Sequence, residues 1–184
     1  MSTRGFIAFA NDNDTYEEVP THYDGYPDHM LTNLIILLNR DGLNKVRETI
    51  TRYGLWTSIN NEQPDTTGVT PDQEADFGTP ARYAWEAQNY GRTYTPGYGE
   101  HVEFDDFEGN NVIDGADNVL DTALFEDTIW NEFGYIVRPN GNVETYANVF
   151  GSGWKHVGTT NPSNHAGKSA EELREIITDD NVPA

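Results

Sequence analysis

Four side chains able to move a proton or hold a cation crowd into one stretch, Thr21-His22-Tyr23-Asp24-Gly25-Tyr26-Pro27-Asp28-His29. His22 and Asp24 lie two residues apart at the end of an extended segment, a spacing that sends both side chains the same way. Such a pair can act as a general base and its orienting carboxylate, the minimum for a hydrolytic enzyme. Asp28 and His29 follow just past the turn, and the four together have the chemistry of divalent-metal ligands. Spacing defines no third ligand, so neither a metal nor another cofactor is expected. Turn chemistry accounts for the same residues without catalysis. Asp24 bonds its own backbone as an Asx turn, Gly25 and Pro27 break the strand, and Asp28 caps the helix beyond. This structural reading uses every residue type present and takes precedence. As a contact surface, the stretch offers His22, Tyr23, Asp24, Tyr26, Asp28 and His29 as candidate binding residues.

Other chemistry is fainter. The chain has no cysteine, which excludes disulfides, thiolate metal sites and cysteine nucleophiles. Removal of Met1 would expose Ser2 as an N-terminal nucleophile, but ordinary initiator processing explains that residue. The runs 105–111 and 114–117 resemble calcium loops in composition, yet the oxygen ligands and glycine fall out of register. Gly151-Ser152-Gly153 lacks the strand-to-helix setting of a phosphate loop or nucleophile elbow. Tyr83, Tyr90, Tyr94 and Tyr98 can form a stacking platform or line a protein-binding face.

The elements that must position these residues follow from periodicity. Residues 4–10 are a short apolar run rich in aromatic and β-branched types, read as a strand buried on both faces. The Asn/Asp turn at 11–15 leads into a second strand at 16–23, which Pro20 places at an edge or bulge. A helix from Asp28 to about residue 40 carries the wide apolar stripe Met30, Leu31, Leu34, Ile35, Leu37 and Leu38, and should be the most buried. A second helix spans 43–53, and 55–59 is an apolar connector that tucks Trp56 inward. Weaker helical spacing covers 80–90, and 91–99 reads as loop. A strand at 101–107 precedes an acidic turn at 108–118 and a short segment at 119–125. Strands at 129–138 and 143–150 flank Asn140-Gly141, a hairpin signal. A short strand at 154–157 and a terminal helix opened by the capping box Ser169-Ala170-Glu171-Glu172 complete the pattern. The expected fold is one α+β domain over residues 1–184, an antiparallel sheet of about five strands with helices packed on one side. An exposed acidic loop is expected at about 60–79 and a frayed tail at about 179–184.

Composition narrows the partners. Thirty-one acids against eleven bases give a formal charge of −20, and lysine occurs only as Lys45, Lys155 and Lys168. Such a surface repels nucleic-acid phosphate and anionic membranes. Adaptation to a salty cytoplasm explains the acidity, and imitation of DNA is the alternative; the even spread of acids along the chain suits the first. No secretory signal is visible, and the longest apolar run, 34–38, is far short of a membrane span. The expected location is intracellular, in a host cytoplasm or a virion.

The start Met1-Ser2-Thr3-Arg4, the short apolar strand, the Asn/Asp turn and His22-Tyr23-Asp24-Gly25-Tyr26-Pro27 before a helix resemble a family of small uncharacterised proteins. These are encoded mostly by viruses of bacteria and archaea. Their members show a His-aromatic-Asp-Gly-Tyr motif, an apolar helix and a later hairpin rich in aromatics. The resemblance covers about the first 55 residues, and the hairpin at 133–146 fits more loosely. Asp28-His29 stands where many relatives have a glycine-rich lead-in to the helix, and 60–79 has no counterpart. The resemblance implies a viral or mobile-element origin and carries no catalytic residue across. A halophilic host would explain the acidity and the lysine shortage together. The expected function is that of a viral accessory protein acting by protein–protein binding on host machinery or defence. A virion-associated structural protein and a hydrolytic enzyme using His22 and Asp24 are the alternatives.

Overall fold

The structure is a computed structural model and describes residues 3–13, 15–102, 113–114, 131–149 and 152–184. Its centre is β1 (Arg4–Ala10), every residue of which beyond Arg4 is buried. The unbroken apolar run predicts burial on both faces, and both faces are covered. Ile7 and Phe9 join the larger core, while Phe6, Ala8 and Ala10 join a second cluster with Tyr16 and Ile136.

A hairpin pairs β1 antiparallel to β2 (Thr15–Thr21). On its other side β1 runs parallel to β7 (Asn131–Val137). The chain leaves β2 through α1 (Pro27–Asp41) and α2 (Leu43–Thr51) and returns as β3 (Leu55–Ile59), parallel to β2. β4 (Thr93–Thr95) and β5 (Gly99–Val102) form a hairpin against β3. The two-residue β6 (Ile113–Asp114) meets the start of β2. β8 (Val143–Val149) and β9 (Gly153–Thr160) extend the sheet antiparallel beyond β7. Among the described residues, eight strands therefore follow the order β4-β5-β3-β2-β1-β7-β8-β9, with β6 beside them. The helices among the described residues are α1, α2, α3 (Pro80–Tyr90) and α4 (Ala170–Ile176), with a 3-10 turn at Pro162–His165.

The antiparallel sheet of about five strands is thus corrected to a larger mixed sheet. Both foreseen hairpins form, because each is set by local turn residues. The parallel pairs join segments from opposite ends of the chain, or segments separated by two helices, and periodicity says nothing about their direction. The connector at 55–59 is β3, and the loop at 91–99 contains β4. Within the tail expected to fray, Val182 is buried in the main core, and Thr160 Oγ1 donates to Pro183 O at 2.6 Å. The end of the strand foreseen at 101–107, the acidic turn, the segment 119–125 and the calcium-like runs lie outside the described residues, apart from Ile113 and Asp114.

The apolar stripe of α1 lies against one face of the sheet, with Met30, Leu31, Leu34, Ile35 and Leu37 fully buried among Ile7, Phe9, Val19 and Tyr135. Val46 and Ile50 of α2 and Leu173 of α4 complete that layer. Trp56 fills the gap behind α2 and donates from Nε1 to Ile50 O at 2.9 Å. On the opposite face Gly134 leaves room for the Phe6 ring; a Cβ there would lie 2.2 Å from Phe6 Cζ. No helix among the described residues is long and apolar enough to cross a membrane.

Candidate functional site

The stretch 22–29 is the junction where β2 hands the chain to α1, and main-chain bonds tie it down. His22 N donates to Trp56 O and Tyr23 N to Thr57 O, continuing the β2–β3 pairing past the strand end. Asp24 adopts φ 58°, a left-handed conformation that Asp tolerates and most residues do not. Gly25 N then donates to Thr3 O at 3.0 Å, and a Cβ on Gly25 would sit 2.9 Å from the same oxygen. Only glycine permits that approach. Gly25 O accepts the buried Tyr135 hydroxyl at 2.6 Å.

Each sequence-predicted residue has a definite place. The Asp24 carboxylate accepts from Ser58 Oγ at 3.0 Å. Among the described residues no hydrogen bond joins it to His22, so the base-and-carboxylate pair is not assembled. The ring of His22 lies edge-on to that of Tyr23 at 6.2 Å. Partial burial, with Arg4 close by, lowers its pKa. Tyr23 is half exposed, and Tyr26 packs against Phe133 at 6.1 Å. His29 turns away from His22, its Nε2 lying 2.8 Å from Ile59 O. Asn33, fully buried, bonds His29 O and receives both the main chain and the side chain of Asn61. Asp28 is exposed in the first turn of α1 and does not cap it; Tyr26 holds the cap position and Pro27 opens the helix. An acid there still favours the helix through its dipole. Among the described residues no three His, Cys, Asp or Glu side chains come together as a metal site.

A different surface gathers the aromatics. Thr79 caps α3, accepting from Arg82 N at 3.4 Å, and Gly91 ends it in the left-handed region. Unlike α1, α2 and α4, this helix buries no residue completely. Beside it runs a ladder of stacked rings and guanidinium groups. Arg82 lies between Phe77 and Trp85, its Cζ 4.4 Å and 4.9 Å from the two ring centres. Trp85 meets Tyr90 edge-on at 5.5 Å, and Arg92 covers Tyr90 at 5.6 Å. Glu86 pairs with both arginines, at 3.4 Å and 3.6 Å, and Arg82 also donates to Gln73 O. Phe77 remains 81% exposed and Tyr90 60% exposed. Stacking thus holds large apolar rings in open solvent, where they lack the burial that would offset their hydration.

The four tyrosines taken together in the sequence are divided by the fold. Tyr90 belongs to the ladder, Tyr83 packs on Tyr94 at 5.2 Å, and Tyr98 donates its hydroxyl to Asp41 at 2.6 Å. Sequence reasoning missed Phe77, Arg82 and Trp85. Arg82 and Trp85 stand three apart on a helix, the spacing at which side chains meet, and that signal was present. Behind the β4–β5 hairpin, His101 is almost fully buried, stacked on Tyr53 at 3.5 Å and edge-on to Trp56 at 5.0 Å. Its Nε2 lies 2.8 Å from Thr95 Oγ1, and among the described residues its Nδ1 has no hydrogen-bond partner; burial brings its pKa down to about 4.

Comparison of the chain with protein-family models, with curated proteins and with solved structures gives no match.

Proposed function

We propose that this chain is a small acidic viral accessory protein that acts by protein–protein contact. The observation that carries the contact role is the ladder on α3. Exposed Phe77 and Tyr90, with Trp85, Arg82 and Arg92 between and beside them, are the residue types that dominate binding energy at interfaces. Their rings are already held by stacking and ion pairs, so docking costs little side-chain entropy. The formal charge of −20 supplies the second element of recognition. It draws in a partner with a basic surface, while the rings fill an apolar pocket on that partner. Viral origin is supported by the resemblance at residues 1–55. The stretch 22–29 contributes Tyr23 as an exposed ring, while Asp24, Gly25 and His29 bond to other parts of the fold.

The test is a paired pull-down from host lysate with wild-type protein and the variant Phe77→Ser with Tyr90→Ser. Both residues are exposed, so the melting temperature should stay within a few degrees of wild type. A host protein retained by wild type and lost with the variant is the expected result. Identical retention by both proteins would remove the ladder from the interface.

A further inference from the structure

We propose that the cleft between α2 and the β4–β5 hairpin binds a small organic anion, a carboxylate or phosphate carried on a flat apolar body. The cavity has a volume of about 200 Å³, and its walls include Lys45, Glu48, Arg52, Tyr53, Thr95 and Tyr98. It is separate from the α3 ladder and does not depend on it.

One wall of the cleft is a face of α2. Positions 45, 48, 49 and 52 recur every three or four residues and so lie together, while Val46 and Ile50 face the core. Lys45 and Arg52 stand at the two ends of that face, roughly 10 Å apart along the axis at about 1.5 Å per residue. Among the described residues neither forms an ion pair. Among the described residues five of the eleven bases, Arg40, Arg47, Arg82, Arg92 and Arg138, each meet a carboxylate within 4.0 Å, and Lys45 and Arg52 are among the six that do not. Both open on one cavity, where Arg52 also lies over the Tyr53 ring, its Cζ 5.8 Å from the centroid, and Lys45 acts on the Asp41 carboxylate through space. Two acids lie near. Asp41 is already held by Arg40 at 2.8 Å and by the Tyr98 hydroxyl at 2.6 Å. Glu48 lies between the two cations on the same face and opposes an anion, which the test exploits.

The walls are preorganised. Tyr53 is clamped by its stack on His101, Tyr98 is buried with its hydroxyl anchored, and Thr95 is bonded to His101. A flat apolar body can rest against this lining without ordering it first. The volume is below the roughly 300–1,000 Å³ of drug-sized pockets and suits one ring with one anionic group. The negative charge of the whole molecule does not decide the matter inside the cleft. At physiological ionic strength it is screened over about 8 Å, so the adjacent cations set the local potential.

The experiment is an NMR titration of isotope-labelled protein with phenyl phosphate, benzoate and inorganic phosphate. Saturable shifts confined to residues 45–53 and 95–101 are expected for at least one ring-bearing probe, with a dissociation constant of about 1 mM. Lys45→Gln with Arg52→Gln should weaken binding at least about tenfold, while Glu48→Gln should tighten it severalfold. All three residues are exposed, so an unchanged melting temperature certifies the variants. Tighter binding of phenyl phosphate points to a phosphate ester as the ligand, and tighter binding of benzoate to a carboxylate. Inorganic phosphate binding as well as phenyl phosphate would overturn the role of the rings. Absence of saturable shifts, or a double variant that titrates like wild type, would overturn the site.

Discussion

His101 shows how one buried side chain makes stability depend on pH. Held between Tyr53 and Trp56, it has its pKa lowered from 6.5 to about 4 by burial. The unfolded chain binds a proton near pH 6.5, whereas the folded chain resists it until about pH 4. Its contribution is therefore whole above pH 6.5 and is lost as pH falls towards 4. The shift corresponds to about 3 kcal/mol. Urea unfolding from pH 7 down to pH 4 should show that much more loss in wild type than in His101→Gln; parallel curves would contradict it. Asp24 is a second residue whose surroundings decide its role. The two-residue alternation of a strand would aim it alongside His22, but β2 ends at Thr21 and Asp24 is left-handed. The alternation stops short of the pair, and the carboxylate turns to Ser58 instead.

At the scale of elements, what was legible was what is local. The stripe on α1, the Ser169–Glu172 capping box and the hairpin at Asn140-Gly141 are each written within a few residues, and each is present. Gly141 has φ 86°, the conformation that the turn demands. The parallel β1–β7 join and the promotion of 55–59 to a strand depend on partners distant in sequence, so no local pattern could announce them. Gly134 belongs to the same class. A glycine inside a strand weakens it, and only the fold reveals the Phe6 ring that occupies the space of its missing side chain. Gly134→Ala should overpack this contact and cost about 1–3 kcal/mol, measured by chemical denaturation. A neutral result would mean that Phe6 can shift freely. The α3 ladder was half legible: its tyrosine stands out in the sequence, whereas the arginines that order the rings gain their meaning only from the helix and the loop beside it.

For the molecule as a whole, charge outweighs every other surface property. With a formal −20 on 184 residues, like charges repel across the entire surface. Raising sodium chloride shortens the screening length from about 10 Å at 0.1 M to about 3 Å at 1 M. The melting temperature should therefore climb steadily over that range; a flat or falling curve would show that the acids are already offset within the fold.

The β1–β7 pairing has a consequence for how the protein is made. β1 gains one neighbour as soon as the first hairpin closes, but its other flank belongs to Asn131–Val137. Ribosomes add about 5–20 residues per second, so the most apolar strand waits on the order of ten seconds for its second neighbour. During that interval its bare flank is open to any passing strand, and a cell producing this chain must shelter it until the last third emerges.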